Sequence, residues 1–248
     1  MRRVVSLVPS LTEAVAVSAP GLLVGVTDWC THPADLGGAM RIGGTKNPDV
    51  RRIVELRPDL VIANEEENRP PDLAALRAAG LEVLVTEVRE LPQALRELDR
   101  VLVGALGLTR PGWLADAERA WAGVEPVGAL TAFVPVWRRP WMVLGRDTFA
   151  GDLLGRLGVR NAYAGHTDRY PRVPPAELAA ADCDLVVLPD EPYRFTASDG
   201  PEAFPELPAA LVSGRHLTWY GPSLAEAPRV LAAALRAARR YPEGPGPG

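Results

Sequence analysis

Short apolar runs alternate with helix signals through the first third of the chain, and few folds accept that alternation. Arg3–Val8, Leu22–Thr27, Asp59–Ala63 and Glu82–Thr86 read as strands. Between them, Ser10-Leu-Thr-Glu13 reads as a capping box that predicts a helix over Leu11–Ala19. Asn47-Pro48 places a proline at a first helical position and predicts a helix over Asp49–Leu56. Pro70–Ala79 predicts a third helix, closed by Gly80. Alternation of this kind argues for a mostly parallel sheet with helices on both faces.

The middle of the chain changes period. Leu91, Leu95, Leu98, Leu102 and Leu106 mark one face of an amphipathic helix. Gly107 and Pro111 interrupt it, and Leu114, Ala117, Trp121 and Val124 resume it. Strands then return at Ala129–Val136, Trp141–Leu144 and Asp184–Leu188, with a helix from Thr148 to before Gly158 and a last one over Leu224–Arg240. The halves also echo each other. Leu56-Arg-Pro-Asp59-Leu-Val-Ile62 and Ala181-Asp-Cys-Asp184-Leu-Val-Val187 each join a helix end, an Asp and an apolar strand, and each leads into an acidic loop. The expected organisation is an α/β lobe over 1–90, a bridging helical segment over 91–125, a second α/β lobe over 126–241 and a disordered tail over 242–248. Each lobe is Rossmann-like, and the ligand cleft is expected between the lobes, at the carboxyl ends of the strands.

Composition removes several classes of function. With 27 basic and 31 acidic side chains the net charge is −4, which gives no support to a nucleic-acid partner. No apolar run approaches the length of a membrane span, so no membrane insertion is expected. Cys30 and Cys183 are too few for a disulfide framework or a four-cysteine zinc site. The first core strand follows Met1-Arg2 directly, which leads to the expectation of no export leader, no lipoprotein cysteine and a cytoplasmic location.

Specific motifs then carry a family resemblance. Val5-Ser6-Leu7-Val8-Pro9-Ser10-Leu11-Thr12-Glu13 is followed in order by Gly25-Val26-Thr27-Asp28, His32-Pro33, Gly43-Gly44-Thr45-Lys46-Asn47-Pro48 and Arg57-Pro58-Asp59-Leu60-Val61. In the second half come Trp137-Arg-Arg-Pro140-Trp141, Glu191-Pro192-Tyr193 and Trp219-Tyr220-Gly221. Together these resemble the cobalamin-binding, helical-backbone metal receptors, the class III substrate-binding proteins of ABC importers, which also include haem and siderophore binders. The resemblance implies two α/β lobes joined by a helical backbone. It also implies a non-catalytic protein that holds cobalamin or a related metal chelate by aromatic and apolar contact, with no protein metal ligand and no catalytic cofactor.

By this resemblance, Trp29, Trp141, Tyr170, Trp219 and Tyr220 are the expected ligand-facing aromatics. The residues themselves add polar candidates. Thr45 and Lys46 sit in a small-residue loop read as lying at a helix N-terminus, suited to an anionic or amide edge of a ligand. Asn64 and Glu66 follow the strand of the first lobe, and Glu191 and Tyr193 occupy the equivalent loop of the second. Members that dock on a permease carry an acid on each lobe, whereas the matching positions here are Arg51 and Ala176. By the resemblance those acids pair with arginines on the permease, so Arg51 would meet like charge, which repels, and Ala176 offers no charge at all; both weigh against permease docking.

Other constellations are thinner. Cys30 and His32 supply two metal donors where a site needs three or four. No Ser-His-Asp order, HExxH or GxSxG occurs. The leading expectation is a cytoplasmic corrinoid carrier, store or sensor. An importer component for cobalamin, haem or ferric siderophore with a misassigned start is the alternative. An enzyme using Glu65–Glu67 or Glu191 as acid/base is the third.

Overall fold

The computed structural model describes residues 2–240; the tail expected over 242–248 lies outside them. Two compact units emerge. The first takes the chain through Val88, Pro92–Asp116 and Tyr220–Pro222, and the second takes Arg89–Leu91, Ala117–Trp219 and the chain from Ser223.

In the first unit, β1 (Val4–Ser6), α1 (Pro9–Ser18), β2 (Leu23–Val26) and β3 (Met40–Arg41) come first. A small hairpin of β4 (Gly43–Gly44) and β5 (Asn47–Pro48) follows, then α2 (Val50–Glu55), β6 (Leu60–Asn64), α3 (Pro70–Ala78) and β7 (Val83–Thr86). The sheet order is β3-β2-β1-β6-β7, and every pairing is parallel. A parallel strand covered on both faces must be apolar throughout. Accordingly Leu60–Ala63 is fully buried, and Val5, Leu7, Val61 and Ala63 pack with Ile53 of α2 and Leu73 and Leu76 of α3. Each such aliphatic side chain contributes roughly 1.5–3 kcal/mol through burial.

Two helix starts differ from the sequence reading. α1 begins at Pro9, so Ser10 lies inside the helix and is buried, and Val8 is the N-cap residue without a side-chain cap. Proline at N1 fixes the start, because its φ suits the helix and its missing N–H would be unpaired there. Pro48 is not at a helical position either. It pairs with Gly43 in the β4–β5 hairpin, and Asp49 caps α2 by accepting a hydrogen bond from the Arg52 N–H at 3.0 Å.

The helical middle contains α4 (Leu91–Asp99), a π-helical turn over Arg100–Ala105 and α5 (Gly112–Ala122). Within the π turn the Leu106 N–H donates to Val101 O, a spacing of five residues. Gly107, with φ of 68°, ends the segment in the left-handed region that suits glycine. α5 carries the chain from the first unit into the second.

The second unit contains β8 (Leu130–Phe133), β9 (Pro135–Arg138), β10 (Trp141–Val143), α6 (Phe149–Arg156), β11 (Val159–Asn161) and α7 (Pro175–Ala179). After these come β12 (Leu185–Pro189), β13 (Ala209–Val212), α8 (Gly214–Thr218) and α9 (Ala227–Arg236). The single strand expected over Ala129–Val136 is two: β8 joins the main sheet, and β9 leaves it to form an antiparallel hairpin with β10. The expected last helix starts as a 3₁₀ turn over Pro222–Ala225 before α9.

The main sheet of this unit has the order β11-β8-β12-β13, again all parallel. It matches the β2-β1-β6-β7 portion of the first sheet strand for strand, so the sequence echo is an architectural repeat. The repeated aspartates play one part in both. Asp59 accepts the Arg3 N–H at 2.6 Å and Asp184 accepts the Thr131 N–H at 2.7 Å, each fixing the start of the neighbouring strand.

Candidate functional site

In each sheet the chain winds one way from the first strand and then the other way, so the order reverses between β1 and β6 and between β8 and β12. Ligands of open parallel sheets sit beyond the carboxyl ends at such a reversal. The loops that matter are therefore those leaving β1 and β6 in the first unit, and β8 and β12 in the second.

In the first unit two asparagines organise that end. Asn64, the last residue of β6, donates through Nδ2 to Thr86 O at 3.1 Å and Thr86 Oγ1 at 3.2 Å. Its Oδ1 accepts the N–H groups of Glu66 and Glu67 at 2.9 and 3.3 Å. Asn68 accepts the Asn64 N–H at 2.9 Å and donates to Leu7 O at 3.2 Å and Thr45 O at 3.0 Å. One side chain thus ties together the loops after β1, β4 and β6. Both amides are buried and use all their donors and acceptors, as buried polar groups must. Asn68 and Thr86 were not among the residues singled out from sequence. The only signal was a second asparagine four positions after Asn64.

Lys46 stands at the tip of the β4–β5 hairpin, and its Nζ donates to Glu66 O. The helix N-terminus expected beside it is elsewhere, at Asp49, whose carboxylate occupies the cap. The phosphate-loop reading therefore loses its backbone donors, while Thr45, Lys46 and Glu66 remain neighbours. Trp29, in the turn after β2, is 66% exposed. Its Nε1 lies beside Gly44 of the hairpin, 3.4 Å from where a Cβ there would stand, whereas the bare glycine is needed for the close approach of Asn47 Oδ1. Tyr220 is buried, with its hydroxyl 3.5 Å from Thr86 Oγ1. Burial, and then the charge of Glu67, push its phenol above the ordinary tyrosine range.

In the second unit the loop after β12 carries Glu191 and Tyr193. The Gly214 N–H donates to Asp190 Oδ1 at 2.6 Å, and the missing side chain of Gly214 leaves room for Glu191. Glu191 accepts the Trp219 Nε1–H at 3.1 Å. Burial raises the pKa of its carboxyl group, with the Trp219 hydrogen bond opposing. Tyr193 donates to Asp199 Oδ2 at 2.7 Å. Tyr170 is partly buried, with the Arg169 guanidinium 5.9 Å from its ring centre.

Trp141 stands apart from its expected place on a ligand face. It is only 9% exposed, stacked on Phe195 at 6.0 Å with rings 7° apart, and it meets Phe204 edge-on at 5.2 Å. Its ring is committed to the core of the second unit. Trp219 is similarly buried, at 7% exposure. Cys30 lies buried with Sγ 3.0 Å from Thr12 Oγ1 and 3.2 Å from Thr27 Oγ1, while His32 is exposed beside Thr31. Among the described residues no cluster of three His, Cys, Asp or Glu side chains could hold a metal ion.

Known proteins share this fold and sequence pattern. No family model matches the chain. The vitamin B12-binding protein of Vibrio cholerae is 24% identical over 180 residues, covering 69% of this chain and 64% of that protein. The uncharacterized ABC transporter substrate-binding lipoprotein YvrC of Bacillus subtilis is 26% identical over 181 residues, covering 67% of this chain and 57% of the lipoprotein. The alignments thus span less than two thirds of either relative. The apo structure of the periplasmic heme-binding protein RhuT from Roseiflexus sp. RS-1 superposes with a TM-score of 0.78 at 23% identity, over 95% of this chain and 98% of that one. The chain therefore has the fold of these periplasmic binding proteins and shares a sequence pattern with vitamin B12-binding proteins. Those of these relatives whose names state a role are binding proteins.

The polar groups of the two units lead to testable consequences. Asn68→Ala strands the carbonyls of Leu7 and Thr45 and the N–H of Asn64, and is expected to cost about 2–4 kcal/mol in urea unfolding. An unchanged midpoint would contradict the tie. Glu191 has its folded pKa above the ordinary value, so its contribution to stability is full at low pH and is lost as pH rises through the folded pKa. Glu191→Gln should therefore gain stability relative to the native protein as pH is raised from about 4 to 7. Thermal denaturation of both proteins across that range checks the sign.

Proposed function

We propose that this chain is the ligand-binding component of an importer-type system and takes a large flat metal chelate, with cobalamin first. The observation that carries the reading is the similarity to vitamin B12-binding proteins over about two thirds of the chain. Its supporting chemistry lies in the first unit, which carries both an amide-rich loop end and the aromatic side chains of Trp29 and Tyr220. Cobalamin carries amide groups at its edge and a broad apolar face, and such a ligand is held by apolar contact with a few placed polar groups.

Haem is the next candidate, since heme-binding proteins share the fold. Haem iron usually takes an axial side-chain ligand such as His or Tyr. Tyr193 donates its hydroxyl to Asp199, and Tyr220 is buried beside Thr86. His216 is held by Ser213 and Glu226. A corrinoid brings its own axial ligands to cobalt and needs none of these groups.

One observation favours a second reading, a cytoplasmic carrier that does not dock on a permease. Arg51 is exposed on α2 and lies 3.8 Å from its helix neighbour Glu55, and Ala176 is exposed on α7. An acid at either place would offer an arginine pocket a partner, and neither residue does.

Titration calorimetry with cyanocobalamin, haemin and a ferric siderophore tests the proposal. Saturable one-to-one binding of cyanocobalamin, tighter than haemin, is the expected result. Absence of heat and of any spectral change with all three would refute it.

A further inference from the structure

The tip of the β9–β10 hairpin carries two adjacent arginines, Arg138 and Arg139. A third, Arg172, lies on a segment that runs beside β10. There Met142 and Arg172 form an antiparallel bridge, and the Val173 N–H donates to Trp141 O at 3.1 Å. The three arginines line one cavity of about 460 Å³. The buried Trp141 and Val173 form its floor, and prolines form its edges.

The three guanidinium groups differ in how their charge is met. Arg138 forms ion pairs with Asp199 and Glu202 of its own unit, and stands 5.5 Å from the Trp141 ring centre. Arg139 and Arg172 are exposed, and among the described residues neither has an acidic partner. Helix α7 begins at the edge of the cavity, and its one acid is Glu177. That carboxylate does not line the cavity. It lies toward Tyr163, whose phenol is raised by burial and then by the Glu177 charge. The whole chain carries a net charge of −4, so this concavity is a local reversal of sign. Apolar walls around fixed charges focus their field on an approaching anion.

We infer that this cavity is a docking site for an acidic segment of a partner protein. A guanidinium grips a carboxylate through two parallel hydrogen bonds, so Arg139 and Arg172 each take one acidic side chain. The floor of Trp141 and Val173 takes an apolar side chain beside them. Pro140 and Pro174 restrict the backbone at the rim, which lowers the ordering cost of docking. Both unpaired charges stand at exposed positions, an arrangement open to an extended chain. The inference holds whichever chelate the chain carries.

The test is fluorescence anisotropy with a labelled peptide of Asp, Glu and Leu, and with its counterpart of Asn, Gln and Leu. Three proteins are compared: the native chain, Arg139→Gln/Arg172→Gln, and Arg77→Gln/Arg236→Gln, which removes two exposed charges elsewhere. Thermal denaturation checks the fold of each variant. The native chain should bind the acidic peptide and not the amide peptide. Arg139→Gln/Arg172→Gln should bind it about tenfold more weakly, and the control variant should stay within about twofold of native. Binding should vanish near 1 M salt, where charges are screened within about 3 Å. No binding by the native chain, equal binding by Arg139→Gln/Arg172→Gln, or equal binding of the amide peptide would overturn the inference. Displacement of the peptide by an equal concentration of inorganic phosphate would overturn it in favour of a small-anion site. A dimer in sedimentation that is lost in Arg139→Gln/Arg172→Gln would overturn it in favour of a second copy of the chain.

Discussion

Everything at the candidate site depends on one constraint. Where a parallel sheet reverses its winding, two adjacent strands send their chains apart, and the backbone groups beyond their carboxyl ends lose ladder partners. Those groups must be satisfied by side chains before the place can hold a ligand reproducibly. In the first unit Asn64 and Asn68 do this. The second amide reaches three loops at once, so the shape of that end is set by a single buried side chain. In the second unit Asp190 accepts the Gly214 N–H and Glu191 accepts the Trp219 indole N–H, while the buried Asn161 amide donates to the carbonyls of Leu144 and Gly145.

The two units therefore solve one topological problem with different chemistry. One end is rich in amides and carbonyls, with Lys46 held to the backbone of Glu66. The other is rich in rings, where Trp137, Tyr193, Phe195 and Trp141 form a connected series.

Much of the fold was legible in the sequence, because parallel strands covered on both faces must be continuous apolar runs. The Asp-Leu-Val repeat at Asp59 and Asp184 marks β6 and β12, the equivalent strands of the two sheets. Helix starts were less legible, since Pro9 and Pro48 compete with their neighbours for the cap. Pro9 opens a helix, whereas Pro48 is held in a hairpin by its pairing with Gly43. At the site, the Asn64 and Glu191 loops were placed at strand ends, but Asn68 was passed over because its value lies in contacts distant in sequence. Trp141 was read as ligand-facing and is in the core. The hairpin turn at Arg139-Pro140 was the missing information: it puts Trp137 and Trp141 on opposite faces, so only one of them can be buried.

The most direct test of the account is hydrogen exchange with and without cyanocobalamin. Backbone amides of Glu65–Asn68 and of Glu191–Phe195, the loops at the two reversal points, should slow on ligand addition, with the strands behind them unchanged. Protection confined to other surfaces, with both loops exchanging as in the free protein, would contradict it.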